Sequence, residues 1–400
     1  MQSLLIPENK DMTVLFVCSY TSISGGIIMI FEHAYRLKLK GFQVSITFKY
    51  SEEGFDLSVF PHSEDVSIIE YGSKTEFDFV IATFWLTVYD LSDFKAKYYV
   101  YFGQSDERLF YHENDLNRFW VEQTYGIHSL PVLTSALFLA EKLSKEFASS
   151  CYHVPNGLDL TLFNSLAREK RDRTRILIEG PGKIWFKRVD EAFRITKTFK
   201  DIEVWYVTPD GYVASNWKAD KIFKKVSHHQ MPDIYRNCDI LLKLSDVESF
   251  GLPNLEMMAC GGAVITTNFT GQEEYAVNGV NCIVVNIGDF DSAKDRLSEL
   301  IRDSDLRHNF GENGKKTAED RNWATLTPDF ANRLNLLMVE SPDGNAHSTL
   351  PRLTQLSNGY RKIVEEESRM AYLNKWKESI QVREHHLIYR IANRLYKLLD

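Results

Sequence analysis

Short, dense apolar runs alternate with stretches of helical spacing along most of the chain. Val14–Cys18 is a continuous apolar run, as expected of a strand buried on both faces of a parallel sheet. The small-residue loop Ser24-Gly25-Gly26 follows. Ile27, Ile30, Phe31, Ala34 and Leu37 then mark one face of a helix that Gly41 should stop, before a strand over Gln43–Phe48. This βαβ unit is the building block of a doubly wound sheet. Strands are expected again over Phe79–Ala82, Tyr98–Phe102 and Leu130–Thr134. A helix capped by Ser135 should run to Ser149, followed by Tyr152–Val154 and the turn Pro155-Asn156-Gly157.

The charged stretch Leu166–Thr174 reads as a connection, and a second series starts after it. Its strands are Arg175–Ile178, Glu203–Val207, Ile240–Leu242, Ala263–Thr266 and Cys282–Val285. Its helices are Val189–Phe199, Leu255–Cys260 and Ser292–Arg302. The pattern therefore predicts an α/β chain with one domain over 1–168 and another over 169–324. Gly344–Asn358, rich in Ser, Thr, Pro and Asn, reads as loop, giving a linker over 341–358. Residues 359–400 lack Gly and Pro after Gly359 and read as a helical extension.

Composition narrows the function. A net charge of −8 argues against a nucleic-acid partner. The five cysteines form no CxxC or zinc-finger spacing, and Cys18, Cys238 and Cys260 lie in apolar runs, so buried thiols in a reducing compartment are expected. No apolar run is long enough to span a bilayer, and Met1–Lys10 is too short and polar for a signal peptide, so a cytoplasmic protein is expected. The Lys, Arg, Tyr and Trp of the extension admit peripheral contact with the inner face of a membrane. Asp289-Phe290-Asp291 and Asp303-Ser304-Asp305 read as solvated carboxylates, and His228-His229 and His385-His386 as surface residues, so no metal and no cofactor is expected. Ser24-Gly25-Gly26 lacks the full GxGxxG pattern of a nicotinamide-binding fold.

The most informative segment runs from Leu244 to Gly261, a strand-to-loop-to-helix transition of the kind that places ligands at the carboxyl end of a parallel sheet. Gly251 lets backbone amides approach a ligand, Pro253 suits a first helical turn, and the helix start offers free N–H groups. Glu248 and Glu256, eight positions apart, are acceptors for sugar and ribose hydroxyls. The string Leu244-Ser245-Asp246-Val247-Glu248-Ser249-Phe250-Gly251-Leu252-Pro253-Asn254-Leu255-Glu256-Met257-Met258-Ala259-Cys260-Gly261 resembles the E-x7-E motif of family 4 (group 1) glycosyltransferases. Thr270–Glu274 and Asn278-Gly279 resemble that family's next loop, Val154–Asp159 its first-domain closing segment, and Asn322-Trp323 the aromatic site before its last helix.

The resemblance implies a GT-B fold: two Rossmann-like domains facing a central cleft, with a helix at about 325–340 crossing back to the first domain. It implies a retaining, metal-independent transferase using a nucleotide-sugar donor and a glycan or lipid-linked glycan acceptor. Glu248 would then contact the donor sugar, with Ser249 and the amides of Phe250, Gly251 and Leu252 nearby. Glu256 would bind the ribose, and Gly25 and Gly26 would approach the diphosphate or acceptor. Lys187 falls on the family's diphosphate lysine, but Pro181 stands where an arginine is usual, so Lys183 or Arg188 would have to compensate. The segment from Gln104 resembles the Gln-x-x-Glu of the rhamnosyltransferase-like branch. This would put Gln104, Asp106 and Glu107 at the acceptor side and tilt the donor toward dTDP-rhamnose over UDP- or GDP-hexose. Rival readings are an epimerase or donor hydrolase on the same fold, and a degenerate, non-catalytic member that binds sugars or scaffolds a synthase complex.

Overall fold

The computed structural model describes residues 11–166, 172–326 and 329–369. Two parallel sheets form. The first contains β1 (Thr13–Tyr20), β2 (Gln43–Tyr50), β3 (Ser67–Ile68), β4 (Glu76–Ala82), β5 (Lys95–Gly103), β6 (Val132–Thr134) and β7 (Cys151–His153), in the order β3-β2-β1-β4-β5-β6-β7. The second contains β8 (Thr174–Glu179), β9 (Ile202–Thr208), β10 (Lys221–Lys224), β11 (Ile240–Lys243), β12 (Ala263–Thr267) and β13 (Ile283–Val285), in the order β10-β9-β8-β11-β12-β13. Strand order reverses beside β1 in one sheet and beside β8 in the other. Crevices at such reversals, at the strands' carboxyl ends, are where doubly wound sheets take ligands.

The dense apolar runs are explained by burial on both faces. Along β1, Val14, Phe16 and Cys18 enter one core cluster and Leu15 and Val17 the opposite one. In β8, Leu177 points to one face while Ile176 and Ile178 point to the other. The Gly25–Leu39 helix is capped by Ser24, whose Oγ accepts from the Ile27 N–H at 3.3 Å, and Gly41 follows at φ 96°. The helix over Leu137–Phe147 starts later than expected: Ala136 occupies the cap and makes no side-chain cap bond, so Ser135 does not cap it.

The helix Phe330–Glu340 belongs to the first domain's core. Phe330 packs edge-on against Phe16 and Phe102 at ring separations of 5.6 and 5.2 Å. The loop expected over 344–358 is instead helical: residues 346–369 form a helix that lays Leu353 and Leu356 into the first domain's core. Tyr360 stacks on Tyr89 at 4.6 Å. Asn345 docks the start of this helix by both donating to and accepting from the Tyr99 backbone, each at 2.8 Å. The short polar residues of this segment thus fix a helix onto the sheet. The extension beyond residue 369, with His385 and His386, lies outside the described residues, as do Met1–Lys10. Among the described residues, no helix is long and apolar enough to cross a membrane.

The two domains touch along a seam. Phe110 stacks on Phe186 at 5.7 Å, and the Leu137 N–H donates to Glu274 Oε1 at 2.6 Å. Met29, on the Gly25–Leu39 helix, is buried in a core cluster formed mostly by the second domain.

Candidate active site

β11 leads through a loop into the helix Leu252–Ala259. Gly251 stands at the cap with φ 73°, a conformation that favours glycine. A Cβ there would lie 2.6 Å from Phe269 Cζ, so space and backbone both demand glycine. Pro253 falls in the first turn, where its missing N–H costs nothing. Asn254 donates to Thr266 Oγ1 at 2.9 Å and to the Tyr275 hydroxyl at 3.1 Å, while that hydroxyl donates to the Gly251 carbonyl at 3.1 Å. These bonds fix the helix start rigidly beneath the loop. The neighbouring loop closes on it so tightly that a Cβ on Gly271, at φ 97°, would meet the Ser249 carbonyl at 2.1 Å.

Glu248 is the centre of a charge cluster. Its Oε1 accepts from Ser245 Oγ at 2.9 Å and lies 2.8 Å from Lys187 Nζ and 3.3 Å from Lys243 Nζ. Burial alone would raise the Glu248 pKa, but Lys187 and Lys243 outweigh it and bring it down to about 2. Burial lowers the Lys187 ammonium below the ordinary lysine range against the pull of Glu248. Lys243 is only 3% exposed. Its burial is outweighed by Glu179, 2.6 Å away, and by Glu248, which raise its pKa.

Glu256, on the Leu252–Ala259 helix, is buried. Tyr235 donates its hydroxyl to Oε2 at 2.8 Å, and His228 Nε2 lies 3.5 Å from Oε1. His228, expected at the surface, is 4% exposed, and neither ring nitrogen has a hydrogen-bond partner. It lies on the short turn His228–Gln230, before the helix Met231–Arg236, and packs on the buried Phe163 at a ring separation of 5.0 Å.

The remaining candidates divide. Gly25 and Gly26 open the Gly25–Leu39 helix. Nothing lies within 4 Å of a Cβ placed on Gly25, while Gln104 Nε2 donates to the Gly26 carbonyl at 3.1 Å. Arg188 donates to Asp246 at 2.6 Å. Lys183 is exposed, with Nζ 5.8 Å from the Tyr212 ring centre, while its backbone N–H donates to Asp210. Asp106 and Glu107 are turned into the first domain rather than lining a cleft. Asp106 pairs with Arg108 and Lys142, each at 2.8 Å. Glu107 accepts from the Trp85 N–H at 2.7 Å and the Tyr101 hydroxyl at 2.8 Å. Burial raises its pKa to about 8 against those two bonds. Asp289 and Asp303 cap helices, accepting from Ser292 and Leu306 N–H groups at 3.1 and 2.8 Å. Among the described residues, no group of three or more His, Cys, Asp or Glu side chains is placed to hold a metal ion.

The sequence reading missed Lys243, Glu179, Tyr235 and His228. The clearest available signal was Lys243 itself, a lone charge closing the buried run Ile240–Leu242 at a strand's carboxyl end.

Residues 216–317 match the family model of glycosyl transferases group 1. An uncharacterized glycosyltransferase of Methanocaldococcus jannaschii is 29% identical over 140 residues, 34% of this chain and 38% of that protein. A capsular polysaccharide biosynthesis glycosyltransferase, CapM of Staphylococcus aureus, is 36% identical over 87 residues, 22% of this chain and 23% of that protein. The chain thus spans well under half the length of these curated relatives. The crystal structure of Anabaena HepE in complex with UDP-glucose superposes with a TM-score of 0.67 at 12% identity, covering 82% of this chain and all of that one. At that identity the likeness is one of fold, and the fold is GT-B.

Proposed function

We propose that this chain is a glycosyltransferase that takes a nucleotide-sugar donor at the loop between β11 and the Leu252–Ala259 helix. The observation that carries the reading is the joining of Glu248, Lys187 and the start of the helix bearing Glu256, at the carboxyl ends of β8 and β11. An ionised carboxylate accepts sugar hydroxyls, a partly buried ammonium and free helix-start amides suit a diphosphate, and a second carboxylate accepts ribose hydroxyls. The similarity of residues 216–317 to group 1 glycosyltransferases supports the same assignment, and the UDP-glucose bound by HepE is a donor of the class proposed.

The reaction we propose retains configuration and requires no metal. The bond from the anomeric carbon to the diphosphate oxygen breaks, and the acceptor oxygen bonds to that carbon on the same face. The acceptor proton passes to the departing diphosphate. Lys187 and the amides of Phe250, Gly251 and Leu252 offset the charge that develops on the leaving group, and closing the seam between domains excludes water. The acceptor is a glycan or lipid-linked glycan. With Asp106 and Glu107 turned inward, only Gln104, beside Gly26, supports a dTDP-deoxysugar over UDP- or GDP-hexose. One observation favours a non-catalytic sugar-binding protein instead: Pro181 supplies no side-chain cation at the position where an arginine is usual.

The test is to incubate the protein with UDP-, dTDP- and GDP-sugars and lipid-linked glycan acceptors, following nucleoside diphosphate release and the anomeric form of the product. Acceptor-dependent release with a retained anomer is expected, reduced about a hundredfold or more in Glu248→Gln. Release without acceptor would indicate a hydrolase, and binding without release a non-catalytic protein.

A further inference from the structure

The pairing of Lys187 and Lys243 around Glu248 assigns them different duties. The Lys243 ammonium has three hydrogens and three oxygen neighbours: Glu179 Oε2 at 2.6 Å, the Glu179 carbonyl at 3.4 Å and Glu248 Oε1 at 3.3 Å. It donates two hydrogen bonds to Glu179 and pairs ionically with Glu248, and only 3% of its side chain is exposed. The ion-pair partner of Lys187 is Glu248, at 2.8 Å, and its side chain is 19% exposed. Both lysines flank the point where β8 gives way to Gly180. A Cβ on Gly180 would lie 3.8 Å from Lys187 Cβ and 4.0 Å from Lys243 Nζ, and φ 145° keeps that position a glycine. The following Pro181 contributes no donor, Arg188 is paired with Asp246, and Lys187 and Lys243 are the cations that meet at Glu248.

If Lys187 turns to a phosphate, Glu248 loses its nearest cation. A buried carboxylate without a partner would take up a proton and cease to accept two sugar hydroxyls as an ion. We infer that Lys243 is the positioning residue that prevents this: it stays on Glu248, holding the carboxylate charged and in place, while Lys187 moves from Glu248 to the donor diphosphate. The inference rests on the reading of this loop as a nucleotide-sugar site. It makes Glu248 a carboxylate with one exchangeable and one fixed cation, so ligand binding swaps partners without stranding a charge. The depressed pKa of Glu248 is what two flanking ammonium groups produce, and the burial of Lys243 against Glu179 decides which of the two can leave.

Calorimetric titration tests this. Whichever of UDP, dTDP and GDP the wild type binds is titrated into Lys243→Met, Lys243→Arg and Lys187→Met, alongside the matching nucleoside monophosphate. In Lys243→Met, diphosphate affinity should fall about tenfold or more while monophosphate affinity holds. The acid limb of diphosphate binding should also move up toward the ordinary carboxylate range, and Lys243→Arg should restore part of both. Lys187→Met should lose diphosphate affinity as well. Should Lys243→Met fail to fold, Glu179→Gln/Lys243→Met removes both charges of the buried pair together, and the same diphosphate defect must remain. Wild-type diphosphate affinity and an unmoved acid limb in folded Lys243 variants, with affinity lost in Lys187→Met, would overturn the inference and leave the proposed site standing. No diphosphate binding by the wild type would overturn both.

Discussion

Burial drives Glu107 and flanking ammonium groups drive Glu248 in opposite directions, and each shift becomes a statement about stability. Glu107 is buried with only neutral hydrogen-bond donors at its carboxyl, and its pKa rises to about 8. An unfolded chain ionises a glutamate near pH 4.3. Between that point and about 8 the folded chain holds a proton that the unfolded chain has released, so stability falls as pH rises through this window. Glu107→Gln keeps the acceptor and removes the titration. Melting followed from pH 5 to 8.5 should show the variant gaining on the wild type as pH rises, whereas parallel curves would contradict the assignment. Glu248 is the reverse case. Its folded pKa of about 2 lies below the unfolded value, so its contribution is fully present above the unfolded pKa and is lost as pH falls toward 2. Glu248→Gln should cost about 2–3 kcal/mol at pH 7 by denaturant titration, because it strands Lys187, with the difference from wild type shrinking at low pH. Glu248 and Glu256 could be singled out because they lie within one contiguous resemblance, Leu244–Gly261, and Lys187 because it falls on a separate family position. Asp106 and Glu107 were misjudged because a polar string after a strand does not reveal whether its side chains turn toward solvent or, as here, toward Arg108 and Tyr101.

At the scale of elements, the Leu252–Ala259 helix depends on Gly251. In Gly251→Ala both the positive φ and the contact with Phe269 must be relieved, so the variant should lose about 1–3 kcal/mol. It should also lose nucleotide binding out of proportion to that loss, which melting and titration on the same preparation would reveal. The helix over 346–369 makes a second case. Leu353 is 1% exposed in the first domain's core, and Leu353→Ala should cost about 2–4 kcal/mol. Hydrogen exchange should report that loss in β5 and leave β8 and β11 protected. Strands such as β1 and β11 were legible because burial on both faces leaves uninterrupted apolar runs. Of the 346–369 helix only the part from Gly359 on was legible, because Ser348, Thr349 and Asn345 argued for a loop over 346–358 more loudly than the spacing of Leu350, Leu353 and Leu356 argued for a helix.

Over the whole molecule, two sheets with reversing strand order follow from two consecutive βαβ series, and that much could be read from apolar periodicity. The seam between them could not. It is made of isolated meetings, such as Phe110 on Phe186 and the Leu137 N–H on Glu274, that leave no pattern along the chain. The return of Phe330–Glu340 to the first domain links the two halves a second time, so a ligand bridging the seam should stabilise the molecule as a unit. The most direct test is thermal melting of the wild type and of Glu256→Ala with UDP, dTDP, GDP and ADP. One diphosphate should raise the wild-type melting temperature, and the rise should fade in Glu256→Ala. A panel in which no nucleotide stabilises the wild type, or in which Glu256→Ala keeps the full effect, would contradict a nucleotide-sugar site at this helix.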